Sequence, residues 1–135
     1  MKTKLITDVV SLTTPTLTDT QDLYTLRTHP IVNKYIIRDL PKSIADAEAF
    51  IVQRIQHSAG YYFIIKTVAN KKFAGTICLW NIDNKNTYAE IGYELLPNFW
   101  GSGLMTSALS ALVNYAFEEL NIETIEAYTH TENIP

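Results

Sequence analysis

Apolar residues at Val9, Val10 and Leu12 interleave with Ser11 and Thr13 before the Thr14-Pro15 turn, which predicts a short strand from Val9 to Thr13. Leu17, Leu23, Tyr24 and Leu26 then recur at helical spacing, with Asp19 or Thr20 as N-cap and Pro30 as the stop. The stretch IVNKYI predicts a helical turn. A longer helix begins after Ser43, its N-cap, with Asp46 three residues on as a short relative of the capping-box glutamate. Its stripe is Ile44, Ala47, Phe50, Ile51 and Ile55, and Gly60 ends it. At Tyr61 the period changes. YYFIIKTV, FAGTICLWNI and TYAEIGYELL are β-rich runs joined by turns of a few residues, which predicts an antiparallel meander. Leu104 to Leu120 reads as a second long helix, with Met105, Ala108, Leu109, Leu112, Ala116 and Leu120 on one face. Val113 and Phe117 widen that stripe, as a helix buried against a sheet requires. TIEAYTH is the last predicted strand. The order β-α-α-β-β-β-α-β gives an α/β sandwich with a mixed sheet, and the β-α-β step from Tyr88 to His130 brings in a parallel pair.

Composition narrows the class. A chain of 135 residues with 47% hydrophobic and 19% charged residues is one globular domain able to bury a core. A net charge of -3 argues against a general nucleic-acid binder. No apolar run approaches the ~18 residues of a membrane span, and the N-terminal stretch is too short for a signal peptide. Cys78 is the single cysteine, so no intramolecular disulfide framework is possible. These features together predict a cytoplasmic protein.

The stretch LLPNFWGSGL raises the chemical question, because it places Gly101 and Gly103 between a strand and a helix start. One reading is a plain turn. The other is an anion site, since a helix N-terminus offers unpaired N–H donors and the positive end of the dipole. Glycine would let a pyrophosphate approach the backbone. Thr106 stands where a dinucleotide fingerprint needs a third glycine, and no G-K-[ST] follows, so NAD and ATP readings weaken.

AEIGYELLPNFWGSGLMTSAL resembles the acetyl-CoA-binding motif of the GNAT acetyltransferases, and above all the branch containing the ribosomal-protein N-terminal acetyltransferases. The family loop Gln/Arg-x-x-Gly-x-Gly/Ala is met by Asn98 to Gly103, with Asn98 in the Gln/Arg place and one expected donor lost. THPIVNKYI with PKSIADAEAFI, FAGTICLWNID and NIETIEAYTHTEN extend the resemblance over most of the chain. It implies a three-layer sandwich around a mixed, mostly antiparallel sheet. It implies acetyl-CoA as cosubstrate, with pyrophosphate at the amides of Gly101, Ser102, Gly103 and Leu104. Leu95 and Leu96 would pair with the pantetheine arm like an added strand and supply an N–H for the oxyanion. Asn133 would help hold the cofactor. The implied reaction is direct attack by a primary amine, a small molecule or a protein N-terminus, without a metal.

On the fourth predicted strand, alternation sets Glu90, Gly92 and Glu94 on one face, opposite Ala89, Ile91, Tyr93 and Leu95. Glu90 is the candidate base for the amine proton, with Glu94 second. Either is otherwise a solvated or paired charge. Tyr35, Trp80 and Tyr93 are candidate acceptor-pocket residues, or ordinary packing. Cys78 reads as a small buried hydrophobe, and His29, His57 and His130 lack metal-ligand spacing. The competing class is a non-catalytic acyl-CoA-binding module. The resemblance also implies a further helix and two strands after Pro135, roughly 30 residues. Their absence predicts a truncated form, self-association at the edge of TIEAYTH, and weak transfer.

Overall fold

The structure, a computed structural model, describes residues 4–34, 40–56 and 61–127. Its strands are β1 (Lys4–Ile6), β2 (Val10–Thr13), β3 (Tyr61–Thr67), β4 (Phe73–Trp80), β5 (Tyr88–Leu95) and β6 (Thr124–Ala127). The helices are α1 (Thr20–Thr28), α2 (Ile44–Gln56) and α3 (Leu104–Glu118). The strands form one sheet in chain order. Every pairing is antiparallel except β5 with β6, where Tyr88–Ile91 run beside Thr124–Ala127. The expected meander and parallel pair are both present.

Strand β1 was not expected from the pattern. Its three residues carry too little alternation to show a strand, and a local turn positions them instead. The hydroxyl of Thr7 accepts the N–H groups of Val9 and Val10, and Thr7 N–H reaches Val10 O at 2.9 Å. The same hydroxyl meets that of Ser107 at 2.7 Å, tying this turn to the first turn of α3.

One sheet face carries Phe63, Ile65, Ile77, Leu79, Ala89, Ile91 and Leu95, and packs with Ala108, Leu112, Tyr115 and Ala116 of α3 in one core. Spacing of four, seven and eight residues aligns those α3 positions on one side. Phe117 does not join them: it is 44% exposed, and Tyr115 fills the inner position. The opposite face packs on α1 and α2 through Leu26, Ile64, Phe73 and Tyr62.

The caps differ from expectation in detail. The carboxylate of Asp19 accepts Thr16 N–H at 2.9 Å, capping a single turn ahead of α1, and pairs with Lys66 at 3.2 Å. Ser43 Oγ accepts Asp46 N–H at 3.4 Å, and the Asp46 carboxylate reaches back to Lys42 N–H at 2.8 Å. Gly60, Tyr35, His57, His130, Asn133 and the end of TIEAYTH lie outside the described residues.

Candidate functional site

The loop from β5 to α3 is built by local chemistry. Pro97 opens a single turn, Pro97–Phe99, where its fixed φ and missing N–H cost nothing. The Trp100 indole N–H then folds back onto Leu95 O at 2.7 Å, and Ser102 Oγ donates to Phe99 O at 2.5 Å. Gly101 and Gly103 stand at φ +74° and +80°, a left-handed backbone that favours glycine. Gly103 is the N-cap of α3, and the helix's first bond runs from Ser107 N–H to Gly103 O. The N–H groups of Gly103, Leu104, Met105 and Thr106 therefore precede the first helical donor, Ser107 N–H, and have no acceptor within the helix. A Cβ at Gly101 or Gly103 would meet nothing within 4 Å. The backbone here faces open space beside these donors. The helical donors overlap the Gly101–Leu104 span expected from sequence at Gly103 and Leu104. Ser102 turns its hydroxyl into the loop, while Asn98 is exposed within the Pro97 turn.

The edge of β5 supplies a second feature. Leu96 N–H is taken by Ala74 O at 2.8 Å, so even-numbered residues of β5 turn their backbone groups toward β4. Parity directs Tyr93 and Leu95 the other way, toward β6. Pairing with β6 ends at Ile91 and Ala127 among the described residues. Among the described residues, Tyr93 and the Leu95 N–H are directed away from β4 beyond that pairing, while the Leu95 carbonyl is taken by the Trp100 indole and the Leu96 N–H by Ala74.

On the face toward α1 and α2, β5 carries Glu90, Gly92 and Glu94, opposite Trp80, Cys78 and Thr76 of β4. Glu90 is 8% exposed, and its carboxylate accepts the side-chain amide of Asn81. Asn81 itself has φ +50°, a left-handed conformation that asparagine tolerates. Across β5 and β6, Glu90 lies beside Glu126, whose carboxylate accepts the Tyr88 hydroxyl at 3.1 Å. Burial pushes the Tyr62 hydroxyl up to about 12, with the charge of Glu94 adding to the rise while Thr76 and Arg27 oppose it. Burial likewise pushes the Cys78 thiol up to about 11, so little thiolate exists at neutral pH. Cys78 is a small apolar filler here. Arg27 and Arg54 both lie over the Phe50 ring, at 4.2 and 4.6 Å from its centre, beside Tyr62.

The expected pocket residues are only partly brought together. Trp80 stands opposite Glu90 on the polar face and is half exposed. Tyr93 pairs with Ile77 and so belongs to the α3 face, which removes it from the side that carries Trp80. Tyr35 and Asn133 cannot be placed, being outside the described residues. His29 has a structural partner, with its Nδ1 accepting Ile31 N–H at 3.2 Å. Among the described residues no group of three His, Cys, Asp or Glu is placed to hold a metal ion, and no helix is long and apolar enough to cross a membrane. Sequence reading missed Asn81. Its signal is an asparagine directly after a strand, a position that suits left-handed backbone.

The mixed sheet and the glycine-lined helix start at the end of β5 are the arrangement expected of an acetyltransferase fold. Residues 10–135 match the family described as acetyltransferase (GNAT) domain, and the chain belongs to that family. It is 44% identical over 61 residues to the uncharacterized N-acetyltransferase p20 of Bacillus licheniformis, covering 45% of this chain and 34% of p20. It is 29% identical over 132 residues to the uncharacterized N-acetyltransferase YoaA of Bacillus subtilis (strain 168), covering 96% of this chain and 75% of YoaA. Among solved structures it is similar to the microcin C7 self immunity acetyltransferase MccE in complex with acetyl-CoA and AMP. That likeness has a TM-score of 0.78 and 29% identity, over 94% of this chain and 73% of MccE. The chain thus spans about a third of the length of p20 and three quarters of YoaA.

Proposed function

We propose that this chain binds acetyl-CoA and transfers its acetyl group to a primary amine. The observation that carries the reading is the start of α3, where four N–H donors and two open left-handed glycines lie beside the β5 edge. Gly103 to Thr106 would hold the pyrophosphate, with the helix dipole reinforcing the attraction. Tyr93 and the N–H of Leu95 would pair with the pantetheine arm through the backbone, as an added strand does. When bound, acetyl-CoA supplies an activated thioester carbonyl to the attacking amine.

The residues of the polar face manage the proton. Glu90 is buried one residue before the last β5–β6 pair among the described residues, and Asn81 fixes the direction of its carboxylate. A carboxylate so placed accepts the amine proton, directly or through one water. Glu94 lies two residues beyond Gly92 on the same face and is second in that role. Cys78, held as a thiol, takes no part as a nucleophile.

Thiol release from acetyl-CoA in the presence of polyamines, amino acids, aminoglycosides and N-terminal peptides tests the reading. We expect release with at least one amine class. Tight acetyl-CoA binding with no release across the panel would favour the acyl-CoA-binding module instead.

A further inference from the structure

Resting on that reading, we propose that Trp100 is a positioning residue, whose indole N–H holds the loop between β5 and α3 in the shape that receives acetyl-CoA. From Leu95 to Phe117 the sequence carries no lysine, arginine or histidine. No side chain of this stretch therefore draws in an anion by charge. The N–H groups at the start of α3 have to serve by direction, and affinity then depends on how well the loop is held before the ligand arrives. Gly101, which stands between the strand and those donors, is the point where an unrestrained backbone would lose that direction.

Two side chains supply the restraint. The Leu95–Leu96 peptide is held at both ends, its N–H by Ala74 O of β4 at 2.8 Å and its carbonyl by the Trp100 indole at 2.7 Å. Leu95 is the last residue of β5, so the indole ties the loop directly to the sheet. The backbone between them closes one tight turn, with Phe99 N–H on Leu96 O at 2.9 Å and Trp100 N–H on Pro97 O at 3.1 Å. Past this turn the Ser102 hydroxyl returns to Phe99 O at 2.5 Å, which bridges Gly101. Gly101 is thus secured by Trp100 before it and by Ser102 after it. Trp100 is 53% exposed, so packing alone does not fix its ring, and the hydrogen bond to Leu95 decides where it stands.

The test is calorimetry with acetyl-CoA on the full chain and its variants, with steady-state kinetics on the same proteins. Trp100→Phe keeps an aromatic ring and loses the donor. It should weaken acetyl-CoA by roughly three- to tenfold, the net worth of one hydrogen bond. The loss should appear in KM for acetyl-CoA, with kcat and the KM of the amine unchanged. Trp100→His places Nε2–H where the indole N–H stands in the five-membered ring, and should restore affinity to within about twofold of the unaltered chain. Ser102→Ala, which cuts the second tie, should weaken acetyl-CoA by about threefold. Unchanged affinity in Trp100→Phe would overturn the positioning role. Equal losses in Trp100→Phe and Trp100→His, or a fall in kcat as large as the rise in KM, would overturn it too. Failure of the unaltered chain to bind acetyl-CoA would be a different result, overturning the transferase reading and the role of Trp100 with it.

Discussion

On one face of β5, Ala89, Ile91 and Leu95 are buried against α3; on the other, Glu90, Gly92 and Glu94 line a polar face beneath α1 and α2. The first face is closed by shape, each residue meeting a partner of matching size. The second keeps a buried carboxylate, a missing side chain and two hydroxyl- or thiol-bearing groups held neutral by burial. Burying a carboxylate or leaving a strand position bare costs stability. The α3 face therefore supplies the free energy that lets its reverse side hold chemistry. Strand alternation makes both from one stretch of eight residues.

The largest effects should come from the closed face and its tight crossing. Leu112 is fully buried, and Leu112→Ala should cost about 2–5 kcal/mol. Gly75→Ala, which drives a Cβ into a backbone oxygen, should do at least as much damage. Both would appear as a fall in Tm of roughly 10 °C in a thermal melt. If either melts like the unaltered chain, the closed face is not what holds the fold.

On the open face the same size of change should alter rate instead of stability. Glu90→Gln keeps the shape and should lower turnover by about 100-fold, with acetyl-CoA affinity barely changed. Asn81→Gly keeps the left-handed backbone but removes the amide that aims Glu90, and should lower turnover by about tenfold. Near-normal rates across pH in Glu90→Gln would place the base elsewhere, with Glu94 next to be tested.

A smaller effect follows from the thiol. With the Cys78 pKa raised by burial from its ordinary 9.0 to about 11, the unfolded chain releases this proton before the folded one. Stability from this group is complete below pH 9 and is lost as pH rises toward 11. Cys78→Ala should flatten that part of a stability-against-pH curve. Alkylation of Cys78 at pH 8 should be about 100-fold slower than that of an exposed cysteine. Alkylation at the ordinary rate would contradict the burial.

The sequence made some of this legible and hid the rest for physical reasons. The meander from Tyr61 to Leu95 shows itself because each strand is long and β-rich, and the period of α3 survives over fifteen residues. The separation of Tyr93 from Glu90 is already present in strand alternation. β1 is hidden because three residues cannot display a period, and a Thr7 hydrogen-bonded turn positions it. Phe117 misleads because it lies at the edge of the α3 stripe, where a few tens of degrees decide burial. Asn81 touches Glu90 across nine positions, a contact that depends on the register of β4 with β5. Glycines look alike in sequence, yet Gly75 is fixed by crowding, Gly103 by its backbone angle, and Gly92 by neither. Only coordinates distinguish these three.

The start of α3 is the point on which the functional account rests, and calorimetry with acetyl-CoA measures it directly. The unaltered chain should bind, and Gly103→Val should lose affinity by roughly 100-fold, since a branched side chain both strains the left-handed backbone and fills the space beside the donors. A thermal melt on the same variant shows whether the fold survives. Equal affinity in a folded Gly103→Val would contradict the account and remove this loop from the site.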